Sequence, residues 1–302
     1  MVGLIVLIGI VAAWLVSTES GARWLLAQSK PWLPAALQVE AVSGTLLEGL
    51  NFRDVGWADV AAEVSVAELD TRIELGPLLR RVVRINYLDL RDVDIMIGDA
   101  EQTNKDSEPF TVDLPVTLEL ESASISDARI SAADREFDIQ RIRLIGRLAG
   151  TALAVQRFDL ESELADVSVA ADAILGGSYS ADATAAWELR LPDQPTLSGL
   201  LRLRGDASGY QVQHNLDAPY EIETKGTVAL VENTTSVDLT NTWRRIQIER
   251  GDATTIAATD GKLKLIGPLS DLVFDGASTI STADVPAIAV ETRGRLVGDR
   301  VY

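Results

Sequence analysis

From about residue 39 onward, apolar and polar residues alternate with a period of two. The clearest stretch is Thr111–Glu121, where Val112, Leu114, Val116, Leu118 and Leu120 point one way. Thr111, Asp113, Thr117, Glu119 and Glu121 point the other. Side chains alternate faces along a strand, so this pattern predicts a half-buried strand with one wet face. It recurs at Tyr179–Leu191, Tyr220–Leu230 and Arg245–Glu249, and more briefly at Val167–Leu175 and Leu200–Arg204. Breaks with turn chemistry fall every ten to fifteen residues. Examples are Gly176-Gly177, Pro192-Asp193, Gly205-Asp206, Asp217-Ala218-Pro219, Gly251-Asp252 and Asp260-Gly261. The spacing predicts roughly sixteen strands between residues 58 and 298. No helix-length segment separates them, so the connections imply an antiparallel meander rather than βαβ units. One short helical turn is predicted at Gly76–Arg84, and the polar stretch Asp99–Glu108 reads as a loop. No composition shift divides the body in two.

One-faced alternation over so many strands leaves a long apolar face that water does not tolerate. The sheet can fold on itself as a sandwich, close as a barrel, or curl into a gutter whose lining is filled by something apolar. Periodicity alone does not choose among them.

The N-terminus is different. Val2–Val16 (VGLIVLIGIVAAWLV) is uncharged and apolar. With Met1 it spans about 24 Å as a helix, short of the roughly 30 Å hydrocarbon core. A cleaved signal peptide is the rival reading, with a cut near Ser20-Gly21-Ala22 but no basic residue ahead of the run. The apolar character resumes in an amphipathic segment, Ala22–Leu33, and Trp14, Trp24 and Trp32 suit a membrane–water interface. The expectation is an uncleaved transmembrane signal-anchor over 1–16, a juxtamembrane segment over 17–38, and a β-body over 39–302.

The formal charge of −18 disfavours nucleic acid as a partner, because phosphate contacts need a basic surface. The absence of cysteine excludes disulfides, zinc–thiolate sites and a cysteine nucleophile. His214 is the single histidine and sits in a polar strand-like stretch, QVQHNLD, without a partner pattern. Asp92 and Asp94 share a strand face but lack the further ligands of a cation loop. Arg80, Arg81 and Arg84 form the one dense basic cluster, read as a solvated helix end or a lipid head-group contact. No catalytic constellation, metal site or cofactor motif emerges, and the expectation is a protein that is not an enzyme.

Beyond these patterns, the order of segments resembles a known family. The apolar anchor is followed by VEAVSGTLLEGLNFRDVGW (Val39–Trp57), LGPLLRRVVRINYLDLRDVDIMI (Leu75–Ile97) and PFTVDLPVTLELESASISDARI (Pro109–Ile130). Within them stand Gly44-Thr45-Leu46, Gly49-Leu50, Phe52 and Asp54-Val55, then Pro77-Leu78-Leu79, Ile85, Leu88, Leu90, Val93 and Ile95. Residues 1 to about 130 resemble the N-terminal part of TamB, the inner-membrane subunit of the bacterial translocation and assembly module, within the AsmA-like group. The resemblance implies a single-span inner-membrane protein with a periplasmic body: an elongated, all-β, antiparallel sheet rolled into a taco-like apolar groove. It implies glycerophospholipid movement toward the outer membrane, or outer-membrane protein assembly with TamA. Family members are several times longer, so the chain is expected to be an N-terminal portion, with TamA contacted through a region absent here.

The expected groove lining is Val112, Leu114, Leu118, Leu120, Val167, Val169, Trp187, Leu189, Leu201, Leu203, Ile246, Ile248, Leu263 and Leu265, with phospholipid as the partner. The same residues would serve equally as ordinary sandwich or barrel core, and the family resemblance favours the groove. A scaffold offering sheet edges to other strands is the second expectation. An outer-membrane barrel is disfavoured, because aromatics are 5% of the chain and form no girdle.

Overall fold

The computed structural model describes residues 14, 16–29, 37–58, 62–97, 112–132, 135–231, 234–250, 254–282, 285–297 and 300–301. The chain divides into two compact units, Met1–Glu163 and Leu164–Tyr302. Alternation runs on through the boundary, which is why composition gave no sign of it.

Unit 1 opens with a helix, α1 (Glu19–Ser29). Thr18 Oγ1 accepts a hydrogen bond from the Gly21 backbone N–H at 3.1 Å and so caps its first turn. Ala22 is buried, and the Arg23 side chain donates to the Val42 carbonyl at 3.2 Å, fixing the helix to the sheet. Strands β1 (Leu37–Thr45), β2 (Gly49–Ala58) and β3 (Ala62–Glu74) follow as antiparallel hairpins. A 3-10 turn (Gly76–Arg80) then leads to β4 (Val82–Ile97). The expected helical turn over 76–84 is therefore shorter. Arg81 takes a left-handed conformation (φ +60°) that ends it, and Arg84 is already in β4. Strands β5 (Leu114–Ala132), β6 (Arg135–Gly150) and β7 (Ala152–Ser162) complete the unit. One pair departs from the expected antiparallel meander: β4 and β5 run parallel, with Leu90 beside Ile125 and Val93 beside Ala128. Parallel neighbours cannot be joined by a tight hairpin turn. The polar stretch 99–108, between the two strands in sequence, lies outside the described residues.

Unit 2 is a run of antiparallel neighbours. Its strands are β8 (Ala165–Ile174), β9 (Ala181–Leu189), β10 (Leu197–Asp206), β11 (Gly209–Ala218), β12 (Ile222–Val231), β13 (Thr234–Arg250), β14 (Thr254–Pro268), β15 (Asp271–Thr282), β16 (Ile288–Val297) and β17 (Arg300–Val301). Each pairs with the next in sequence. Among the described residues no ladder joins the first and last strands of either unit, so neither closes into a barrel.

Asp260-Gly261, expected to be a turn, lies inside β14. Asp260 adopts φ +49° and the register against β15 slips there. Unit 1 uses the same device three times, at Asp54 (φ +52°), Asp92 (φ +51°) and Asp127 (φ +58°). Aspartate tolerates the left-handed region better than most residues because its short side chain can bond locally. At each site two successive residues face away from the core: Arg53–Asp54, Arg91–Asp92 and Ser126–Asp127. The slip continues in neighbouring strands at Glu40–Ala41, Ala67–Glu68 and Gln140–Arg141, so it forms one line across the sheet. Bulge-like irregularities bend a strand and increase its twist. The inner residues beside this line, Val66, Val93, Ala128 and Ile139, are the most buried cluster of the sheet in unit 1.

The outer faces carry cross-strand ion pairs: Glu68 with Arg91 at 2.9 Å, Arg129 with Asp138 at 3.2 Å, and Asp275 with Arg293 at 2.8 Å. Each joins residues directly opposite in register. Exposed pairs add little stability, but opposite charges across a ladder disfavour a one-residue slip.

Two outcomes follow. Asp127→Val should cost roughly 1–2 kcal/mol by imposing a branched Cβ on a left-handed residue, and Asp127→Gly should be near neutral; urea unfolding midpoints separate them. The Arg295 guanidinium holds the Asp271 carboxyl below its usual range. A depressed folded-state pKa gives stability present above the unfolded value and lost as pH falls through the folded one. Protection factors of the β15–β16 amides, taken relative to the intrinsic exchange rate at each pH, should therefore fall in acid, and Asp271→Asn should remove that fall.

Candidate functional site

Pairing places the predicted lining residues of unit 2 on one face. A row crosses β8 to β14 as Val167, Trp187, Gly199, Leu216, Ile222, Trp243 and Gly261. The next row is Val169, Ala185, Leu201, His214, Thr224, Asn241 and Leu263. A third holds Leu203, Val212, Gly226, Leu239, Leu265 and Phe274. Leu189 sits between Ala165 and Leu197, and Ile246 opposite Ala258. Ile248 pairs with Ile256 in the backbone register.

Unit 1 has its own apolar face. Leu118 lies between Val83 and Leu148, and Leu120 between Ile85 and Gly146. Leu114 faces Gly150 at the start of β5, and half-buried Val112 precedes that strand. Of the interface tryptophans, Trp14 and Trp24 are 42% and 48% exposed, and Trp32 lies outside the described residues. No described helix is long and apolar enough to cross a membrane. The anchor expected over 1–16 falls almost wholly outside the described residues.

Burial separates an open face from a closed core. A sandwich or barrel would enclose its large apolar side chains, yet among the described residues none falls below 2% exposure. The predicted lining residues whose side chains are described are all half-buried. Within each unit the apolar side chains pack against lateral neighbours on adjoining strands, and no second layer of described residues lies over them.

The sequence pattern missed the polar members of this face. His214 faces inward between Val212 and Leu216, as strict alternation along β11 would have shown. Its ring stacks on Trp187 with centroids 5.7 Å apart and planes 11° from parallel. The Trp187 indole N–H donates to His214 Nε2 at 3.3 Å, which leaves the proton of a neutral imidazole on Nδ1. Thr224 Oγ1 donates to Asn241 Oδ1 at 2.7 Å, and Asn241 Nδ2 to the Leu263 carbonyl at 3.3 Å. A short polar band therefore crosses β9 to β13, its groups bonded largely to one another. Trp243 lies across Gly261 opposite, where a Cβ would collide with the indole, and at Gly199 a Cβ would collide with the Asn215 carbonyl and sit 3.0 Å from the Trp187 ring.

The carboxylates singled out earlier do not make a metal centre. Asp92 and Asp94 line an outer depression of about 280 Å³ with Asp127, Asp138 and Arg129, and Arg129 neutralises Asp138. Among the described residues no group of three or more His, Asp or Glu side chains could hold a metal ion.

Comparison with known families finds two matches to the description "TamB, N-terminal domain", over residues 7–143 and 108–299. The chain belongs to the TamB family. The two matches overlap and together reach both units, so the TamB N-terminal description covers the apolar face of each. No curated protein and no solved structure matches the chain significantly.

The uncovered face makes a prediction that a closed core would not. Leu203→Asp places a carboxylate where water can reach it, and should cost about 1–2 kcal/mol of lost apolar contact. Val93→Asp, at a position 3% exposed, should abolish folding of unit 1 or cost about 4 kcal/mol or more. Urea midpoints of the two variants test this; equal loss at both sites would mean Leu203 is enclosed.

Proposed function

We propose that this TamB-family chain is a non-enzymatic conduit that carries glycerophospholipids along its apolar face, from the inner membrane across the periplasm toward the outer membrane. The observation that supports this most is the apolar face of unit 2, whose large side chains stay only half-buried from row to row, on strands whose other face is charged. An open apolar surface in water needs a guest. Acyl chains fit, because each CH₂ removed from water is worth about 0.8 kcal/mol. Successive rows offer nearly the same side chains, Leu201, Leu203, Leu239, Leu263 and Leu265 among them, so a chain can slide without meeting one deep trap. Head groups stay at the mouth, in water. No cofactor is needed for partition.

In this reading the sheet of each unit is rolled about its inner face as a taco-like groove, and the slip line of unit 1 is where that roll is sharpest. The apolar N-terminal segment, 1–16, holds the protein in the inner membrane as a single-pass anchor. Exposed Trp14 and Trp24 suit the bilayer surface beside it.

A second reading has its own observation. β16 is exposed along most of its length, with Ile288 53% and Val290 38% exposed. Among the described residues β17 pairs only with Leu296 and Val297 of its outer edge. Such an edge can accept an added strand, as a scaffold for outer-membrane protein assembly with TamA would require.

Photo-crosslinking in cells separates the two. With a photoreactive residue at Leu203 or at Arg204, the conduit reading expects phospholipid adducts, found by mass spectrometry, at Leu203 and none above background at Arg204. Adducts to neither, together with protein adducts from a probe at Ile288, would overturn the conduit in favour of the scaffold.

A further inference from the structure

We propose that the turn joining β3 to β4 is a second membrane contact, docking unit 1 on an anionic bilayer surface through Leu78, Leu79, Arg80 and Arg81. Leu79 is 93% exposed, more than any other large apolar side chain among the described residues, and Leu78 is 44% exposed. The neighbouring β1–β2 turn adds Leu47, 51% exposed. The two turns lie at the same end of the sheet, because Thr45 pairs with Gly49, Leu50 with Thr71, and Ile73 with Ile85. Three leucines therefore project from one edge of the unit.

The turn holds these side chains in place. Pro77 sits in its first turn. The Leu78 N–H donates to the Leu75 carbonyl at 3.3 Å, and the Arg81 N–H to the Leu78 carbonyl at 3.0 Å. The Arg81 carbonyl in turn accepts the Thr117 N–H at 3.0 Å, tying the turn to β5. Leu79 is thus presented to solvent by a hydrogen-bonded frame on both sides.

Charge decides the partner. Arg80 and Arg81 are exposed and make no ion pair with a described residue, although most arginines of this acidic chain do. Arg84 is held by Glu74 at 3.1 Å and Glu119 at 2.9 Å, which also removes Glu74 as a competitor. Glu48, in the β1–β2 turn, is the acidic residue within the leucine cluster. Leucines that reach the acyl boundary beside arginines that reach phosphates are the arrangement an anionic bilayer surface recognises. This contact does not depend on lipid moving along the sheet.

The chain has no cysteine, so one introduced at Leu79 carries a unique environment-sensitive fluorophore. The full chain is reconstituted with vesicles of phosphatidylcholine, with or without phosphatidylglycerol, containing doxyl-labelled quencher lipids. The proposal expects blue-shifted emission and strong quenching from Leu79→Cys on the phosphatidylglycerol vesicles. It expects little from a probe at Leu230→Cys, which is 54% exposed in unit 2. Adding R80E and R81E should remove the Leu79 signal. Absence of quenching at Leu79, equal quenching at Leu230, equal strength on phosphatidylcholine alone, or persistence after charge reversal would each overturn it. Because the label replaces a fully solvated side chain, folding is not at stake in the reading.

Discussion

Strands with one charged face and one apolar face, and no layer of described residues over the apolar one, are the constraint on which the rest of this structure depends. Burial normally supplies most of the stability of a β-protein through side chains sealed between layers. Here the sealed set is small, and much of the cohesion is lateral: backbone ladders, same-face neighbours, and charged pairs on the wet side. Such an arrangement relies on strands that are long, 19 residues in β5 and 17 in β13, and paired along most of their length. It leaves an apolar surface open to a guest, which is the feature the proposed lipid conduit rests on.

The departures from a plain ladder sit where this constraint needs them. Aspartates with positive φ at 54, 92 and 127 let adjoining strands turn two residues outward in step. Val66, Val93, Ala128 and Ile139 then become the best-sealed part of the face. The Trp243 indole occupies the space that a Cβ on Gly261 would fill, and Trp187 lies close to Gly199. In the polar band that interrupts the apolar rows, Thr224 is bonded to Asn241, Asn241 to the Leu263 carbonyl, and His214 to the Trp187 indole. The outer ion pairs hold register, and register keeps every apolar side chain on the inner side, since a one-residue slip would exchange the faces.

The strands were legible because period two survives any tertiary context: Leu118, Leu120, Leu201, Leu203, Leu263 and Leu265 were assigned to one face from alternation, and pairing puts each on an inner row. The slips were not, since Asp260-Gly261 carries the same chemistry whether the chain reverses or merely bulges. A signal did exist in Phe52-Arg53-Asp54-Val55, Leu90-Arg91-Asp92-Val93 and Ile125-Ser126-Asp127-Ala128, a thrice-repeated pattern of apolar, any, aspartate and small apolar residue. The inward histidine was likewise available from its neighbours Val212 and Leu216, but a polar residue on an apolar face is overlooked when only apolar positions are counted.

The amino-acid sequence by itself determined that this chain is all-β, that each strand has one apolar face, that the surface is acidic, and that the chain falls within the TamB family. Those follow from local periodicity, composition and segment order. Only the tertiary structure decided that β4 and β5 run parallel, that the phase slips align into one line, and that the apolar face stays uncovered. These depend on which strand lies beside which, and on what lies above them. Alternation specifies a face for each residue, but contains nothing about whether a second layer will come to rest on it.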